Sequence, residues 1–105
     1  MPDYILYQQM LPAPELITAM TGANVLIGKL LFAPVKLIFD NQSTAPVVIS
    51  TSFDGVTFTQ WKTFLAGEAL VLDNDLYTFP KGMQFWGNGT ALGSFSIAYT
   101  YINYP

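Results

Sequence analysis

A chain of 105 residues, 51% hydrophobic, 15% aromatic and 10% charged, with no cysteine, has the length of one domain with one core. Its net charge of −3 rests on four lysines and no arginine, so no basic stripe is present to neutralise phosphates, and nucleic-acid binding is disfavoured. Histidine is absent as well, which removes with cysteine the commonest general base, the strongest nucleophile and the usual zinc ligands.

In chain order, the start MPDYILYQQM has neither the basic region nor the apolar run of a secretory signal. No stretch reaches the length of a membrane span, since Val25 to Val35 is interrupted by Gly28, Lys29 and Pro34. Tyr4 to Met10 reads as a strand or arm, followed by Leu11-Pro12-Ala13-Pro14. Pro14 to Met20 is the one segment that fits a helix, a short one, or else a connector into the main domain. Residues 1–22 are therefore expected to form an N-terminal strand or arm with its connector, and residues 23–105 a β-sandwich domain.

Turn residues recur along the chain, and from Asn41 onward they leave only strand-length pieces between them. Strands are expected over Val25 to Phe32, Val35 to Asp40, Pro46 to Ser52, Thr57 to Phe64, Glu68 to Asp73, Met83 to Trp86 and Gly93 to Tyr104. The last is the clearest: Phe95, Ile97, Tyr99 and Tyr101 alternate with Ser94, Ser96, Ala98 and Thr100, so the bulky face is core. Val25 to Phe32 and Pro46 to Ile49 carry apolar side chains on both faces, which suits central strands covered on two sides or a strand in an interface. Turns are expected at Thr21-Gly22, Asn41 to Pro46, Asp54-Gly55, Ala66-Gly67, Asp73 to Asp75, Pro80 to Gly82 and Asn88-Gly89. The fold class is thus all-β, a single antiparallel, jelly-roll-like sandwich of about seven or eight strands with an N-terminal arm.

Asp54 sits in STSFDGVTFTQWK, where Asp-Gly between β-branched and aromatic residues marks a hairpin corner rather than a catalytic acid. The Asp73-Asn74-Asp75 cluster lacks the further acids and glycine of a calcium loop and reads as a turn. A two-carboxylate glycosidase is a distant option, and no cofactor or metal site is expected. Trp61 alternates with Phe58 and Phe64, which places it on the polar face with Thr57, Thr59 and Thr63, partly exposed or in an interface, and a core or interface role is favoured for it over a carbohydrate platform. A carbohydrate platform of Trp61, Trp86 and Tyr77 is the alternative use of these rings. Asn41-Gln42-Ser43 and Asn88-Gly89-Thr90 are sequons that matter only in a glycosylating secretory pathway.

From Asn41 to Gln84 the order of a polar loop, a strand, S-T-S-F-D-G at Ser50, an aromatic strand, A-G-E at Ala66, L-V-L-D at Leu70 and F-P-K-G at Phe79 resembles small β-sandwich structural proteins of tailed-bacteriophage virions. The resemblance covers about two-thirds of the chain when the final strand is included. It implies a head decoration or cement protein, or a collar or tail component, on the outer surface of the particle. Its partners would be the major capsid protein or an adjacent virion protein, and no membrane. By position, Asp54 and Gly55 close one hairpin, Ala66 and Gly67 another, and Pro80 to Gly82 lead into the Met83 strand. The charge-poor composition suggests permanent contact with neighbouring protein, and a homo-oligomer, with a trimer as one form, is expected. Tyr4, Leu6, Met10, Leu11, Trp61 and Trp86 are the expected interface residues, with Asp54, Gly55, Asn88 and Gly89 in hairpin turns. A carbohydrate- or receptor-binding domain of a tail or collar component is the second expectation.

Overall fold

The sustained alternation near the C-terminus builds the longest strand of the fold, β9 (Ser94–Asn103), which buries Phe95, Ile97 and Tyr99 as expected. The chain is described by a computed structural model over residues 9–73, 79–90 and 93–103. Eight further strands precede β9: β1 (Gln9–Pro12), β2 (Leu16–Ala19), β3 (Asn24–Lys29), β4 (Pro34–Asn41), β5 (Val47–Ser52), β6 (Thr59–Phe64), β7 (Ala69–Asp73) and β8 (Gln84–Gly89). No helix occurs among the described residues. Pro14 to Met20, the segment open to a helix, instead contains β2.

Two antiparallel sheets result. Sheet A has the order β1-β9-β4-β7, with β2 also on β9, and sheet B the order β3-β8-β5-β6. β1 and β2 are two halves of one edge strand. Pro12 faces Thr100 and Leu16 faces Ile97, so the proline-bracketed step between them holds one extra residue. The ladder is kept there by the Ala13 amide, which donates to Tyr99 O at 2.9 Å. Counted this way the sandwich has eight strands, paired as a nested ribbon: β5 with β6, β4 with β7, β3 with β8, and β1/β2 with β9. This is the jelly-roll winding the sequence led us to expect. Residues 9–19 belong to its edge.

The core between the sheets is largely aromatic. Phe39 on β4 stands 4.9 Å from Trp61, 5.5 Å from Phe85, 5.9 Å from Phe64 and 6.2 Å from Phe79, measured between ring centroids. Strict alternation puts Trp61 on the outer, polar face, but it packs against the core. The cause is a β-bulge in β6: Ile49 faces Lys62 and Ser50 faces Gln60, so Trp61 is an extra residue that resets the alternation. Phe58, on the other side of the bulge, is 39% exposed. The Tyr99 hydroxyl, otherwise a polar group in an apolar core, accepts a hydrogen bond from the Leu31 amide at 3.0 Å.

Asn41, expected in a loop, closes β4 and is fully buried. Its Nδ2 donates to Ala45 O, Phe64 O and Leu65 O at 3.0, 3.2 and 2.9 Å. Its Oδ1 accepts from the Ser43 amide and hydroxyl at 3.0 and 2.6 Å. Gly93 lies against the same loop with φ 133, and a Cβ there would meet Ser43 Cα at 2.6 Å. Asn88 and Gly89 also depart from expectation. They are not a turn but the end of β8, facing Asn24 on β3 and Val47 on β5. Gly89 is required by crowding: a Cβ would stand 2.8 Å from Val47 Cγ2.

Asn41→Ala is expected to destabilise the domain by about 3 kcal/mol, because the buried Phe64 carbonyl and Ser43 amide and hydroxyl, and the part-buried Ala45 and Leu65 carbonyls, lose this partner together. Urea unfolding followed by tryptophan fluorescence measures this; an unchanged midpoint would show that the amide network contributes nothing net.

Candidate assembly surface

Directly opposed residues of an antiparallel pair share a face of the sheet. On the outer face of sheet A, Ala98, Ile38 and Val71 therefore form one row across β9, β4 and β7. Ile17 on β2 faces Ser96, which faces Asp40 in turn, and so lies one row away. Ile17, Ile38 and Val71 are 50%, 40% and 54% exposed. The charges lie at the margins of this patch, Asp40 on one side and the facing pair Lys36 and Asp73 on the other.

A shallow cavity of about 140 Å³ opens beside Ile38, lined among others by Pro12, Ala98 and Thr100. Thr100 Oγ1 in that lining is buried and has no hydrogen-bond partner among the described residues. Such a hydroxyl costs about 1–3 kcal/mol while it is left unpaired.

The four sheet edges differ in how they discourage pairing with another chain. The β1/β2 edge carries Pro12, Pro14 and a one-residue irregularity; β3 has a bulge between Leu26 and Gly28 and ends in Lys29; β6 has the Trp61 bulge and Lys62. β7, ALVLD, has none of these, and its sole charge is Asp73 at the end. Among the described residues nothing pairs with its outer side.

Of the residues expected at an interface, Tyr4 and Leu6 lie outside the described residues, as does Tyr77 of the carbohydrate alternative. Met10 and Leu11 pair with Ile102 and Tyr101 of their own chain. Trp61 is turned into the core, so it forms no surface platform with Trp86. Trp86 is half-buried on the outer face of sheet B, where Nε1 donates to Gln84 Oε1 at 2.8 Å and Phe58 meets it edge-on at 5.1 Å. Ile17, Ile38, Val71 and Thr100 were not singled out from the sequence. The available signal was Leu37-Ile38-Phe39, three consecutive apolar residues that place Ile38 outward between two core side chains.

The acids are engaged locally. Asp54 Oδ1 accepts from the Val56 and Thr57 amides, both at 2.8 Å, and from the Ser52 hydroxyl at 3.0 Å. These bonds hold its pKa down to about 2, the Thr57 amide first. Gly55 beside it has φ 75, so the corner reading holds in its essentials, although the connection runs from Phe53 to Phe58 rather than through two residues. Glu68 closes the Ala66-Gly67 turn by accepting from the Leu65 amide at 2.8 Å, which lowers its pKa, and Lys62 at 3.2 Å adds to the effect. Among the described residues no three acids, histidines or cysteines come together as a metal site would require.

Compared with known proteins, the chain matches no family model and no curated protein. A solved structure from the Bacillus endospore appendages, which form a novel family of disulfide-linked pili, is similar in fold. The TM-score is 0.52 with 16% identity, over 91% of this chain and 90% of that one. At that identity the likeness shows the fold.

A depressed carboxylate pKa means that folding favours the ionised form, so Asp54 contributes stability above about pH 4 that is lost as pH falls through about 2. Asp54→Asn is expected to lower the melting temperature at neutral pH and to flatten its acid decline in that window. Identical pH profiles of melting for the two proteins would contradict this.

Proposed function

We propose that this chain is a non-enzymatic structural subunit of an extracellular assembly, which joins to copies of itself and to a neighbouring structural protein. The observation that carries this is the apolar outer face of sheet A beside the undefended edge of β7. A face bearing Ile17, Ile38 and Val71 gains on the order of 2 kcal/mol for each side chain covered, before the costs of association. A strand added along β7 would satisfy its outer backbone groups and continue the sheet. The N-terminal segment with Tyr4 and Leu6 is the donor the sequence offers, since Met10 and Leu11 are already paired within their own chain.

The similarity to a pilus subunit supports an assembling role of this general kind. Those pili are disulfide-linked, whereas this chain has no cysteine, so its joints rest on buried apolar area and backbone pairing. The more specific form of the proposal is a bacteriophage virion protein, a capsid decoration or cement protein on the particle surface. The turn sequence from Ser50 to Gly82 supports it. Many weak joints around a shell reinforce one another, because each docked copy holds its neighbours at high effective concentration.

Size-exclusion chromatography with light scattering on the full chain, Ile38→Lys and Val71→Lys tests the assembly. A defined oligomer is expected for the parent and smaller species for both variants, with the β-sheet circular dichroism spectrum preserved because both positions are exposed and melting temperatures lowered towards that of the dissociated parent. A parent that stays monomeric at high concentration would refute self-assembly. For the virion form, added protein is expected to raise the melting temperature of phage capsids, and Val71→Lys to raise it less.

A further inference from the structure

The connection between β5 and β6 frames a second feature, unrelated to the sheet A face. A cavity of about 360 Å³ opens there, lined by Thr51, Ser52, Phe53, Asp54, Thr57 and Thr59. Its size is at the lower end of small-ligand sites. Its chemistry is unusual for a mere corner: four hydroxyls, one carboxylate, one phenyl ring and no cation.

The carboxylate is committed on one side only. Asp54 Oδ1 takes all three bonds from Ser52, Val56 and Thr57, which leaves Oδ2 as an acceptor. The loop is fixed before any ligand arrives, because the buried Ser52 hydroxyl also accepts from the Asp54 and Gly55 amides at 3.3 and 2.9 Å. Phe53 is 61% exposed, so its ring contributes little to the core and presents an apolar surface beside the polar groups.

Ligand classes can be eliminated by charge. A phosphate, sulfate or carboxylate would meet Asp54 with no basic side chain in the lining to compensate. A metal ion would find one acid where several are needed. A sugar ring fits what remains: adjacent hydroxyls donate to a carboxylate in strong, charge-assisted bonds, and the C–H face of a pyranose packs on an aromatic ring.

We propose that this cavity binds a neutral saccharide, with Phe53 against the apolar face of the ring, Asp54 Oδ2 accepting its hydroxyls, and Thr51, Thr57 and Thr59 completing the contacts. The site differs from a platform of Trp61, Trp86 and Tyr77. It lies at the tip of sheet B and is independent of the assembly proposed above.

The test is an amide chemical-shift titration of the isotopically labelled full chain with methyl glucoside, methyl galactoside and methyl mannoside, with glucuronate as the anionic comparison. At least one neutral glycoside is expected to move the Thr51, Thr57 and Thr59 amides in a saturable way, and glucuronate to bind more weakly. Phe53→Ala, which removes an exposed ring and leaves the Asp54 turn intact, is expected to lose about tenfold in affinity. Thr59→Val serves as a second variant that spares the turn and is expected to weaken binding too. No saturable shift with any of the three glycosides, equal binding of glucuronate, or unchanged affinity in both variants would overturn the proposal.

Discussion

The buried amide of Asn41 fixes how the two sheets meet. It stands where the chain leaves β4 in sheet A and crosses to β5 in sheet B, and it donates to the carbonyls of Phe64, the last residue of β6, and of Leu65 just beyond it. Backbone carbonyls left at a strand end need donors, and the Phe64 carbonyl is buried. One side chain therefore does two tasks: it satisfies the end of sheet B and shapes the Ser43 loop that carries the crossover. The aromatic core adjoins it, since Phe39 is two residues earlier on β4 and Phe64 supplies one of the bonded carbonyls. A shift of Asn41 would disturb both polar network and packing.

What was legible in the sequence follows from which signals are local. β9 was evident because alternation over Phe95, Ile97 and Tyr99 depends on nothing but the strand's own pleat. The turns at Gly67 and Gly82 were evident because their φ values, 73 and 92, favour glycine outright. Trp61 was misplaced because a bulge exists only relative to a partner strand, and Ile49 and Ser50 on β5 set it. Asn88-Gly89 misled for a related reason. Glycine there answers to crowding by Val47, not to turn geometry.

The candidate surfaces divide along the same line. Asp54 was visible as a corner, yet the cavity around it depends on Ser52, Phe53 and three threonines meeting after the corner closes. The apolar face of sheet A depends on Ile38 and Val71 becoming opposed across two strands that are distant in sequence. An apolar residue between Leu37 and Phe39 can equally be covered by its own chain, and only the sheet order shows it bare. Polar satisfaction separates the two surfaces as well: the Asp54 corner is internally bonded, whereas the sheet A face leaves Thr100 Oγ1 without a partner among the described residues.

The nested ribbon also sets an order on the making of the fold. The β5–β6 pair encloses the short connection beginning at Phe53, while pairing Leu16 with Ile97 must close most of the chain. Loop-closure entropy grows with the length left open, so each inner pair shortens the loop that the next must close. Formation outward from the Asp54 corner, through β4–β7 and β3–β8, is the least costly sequence. β9 is the hub of sheet A, partner of β1, β2 and β4, and it is also the last of these strands in the chain. During synthesis sheet B can complete its ladder while sheet A still consists of β4 and β7 alone. Phe39 on β4 already meets Phe64 and Phe85 at that stage, but the cover over the apolar inner face of sheet B is completed only when β9 brings Phe95 against Phe64.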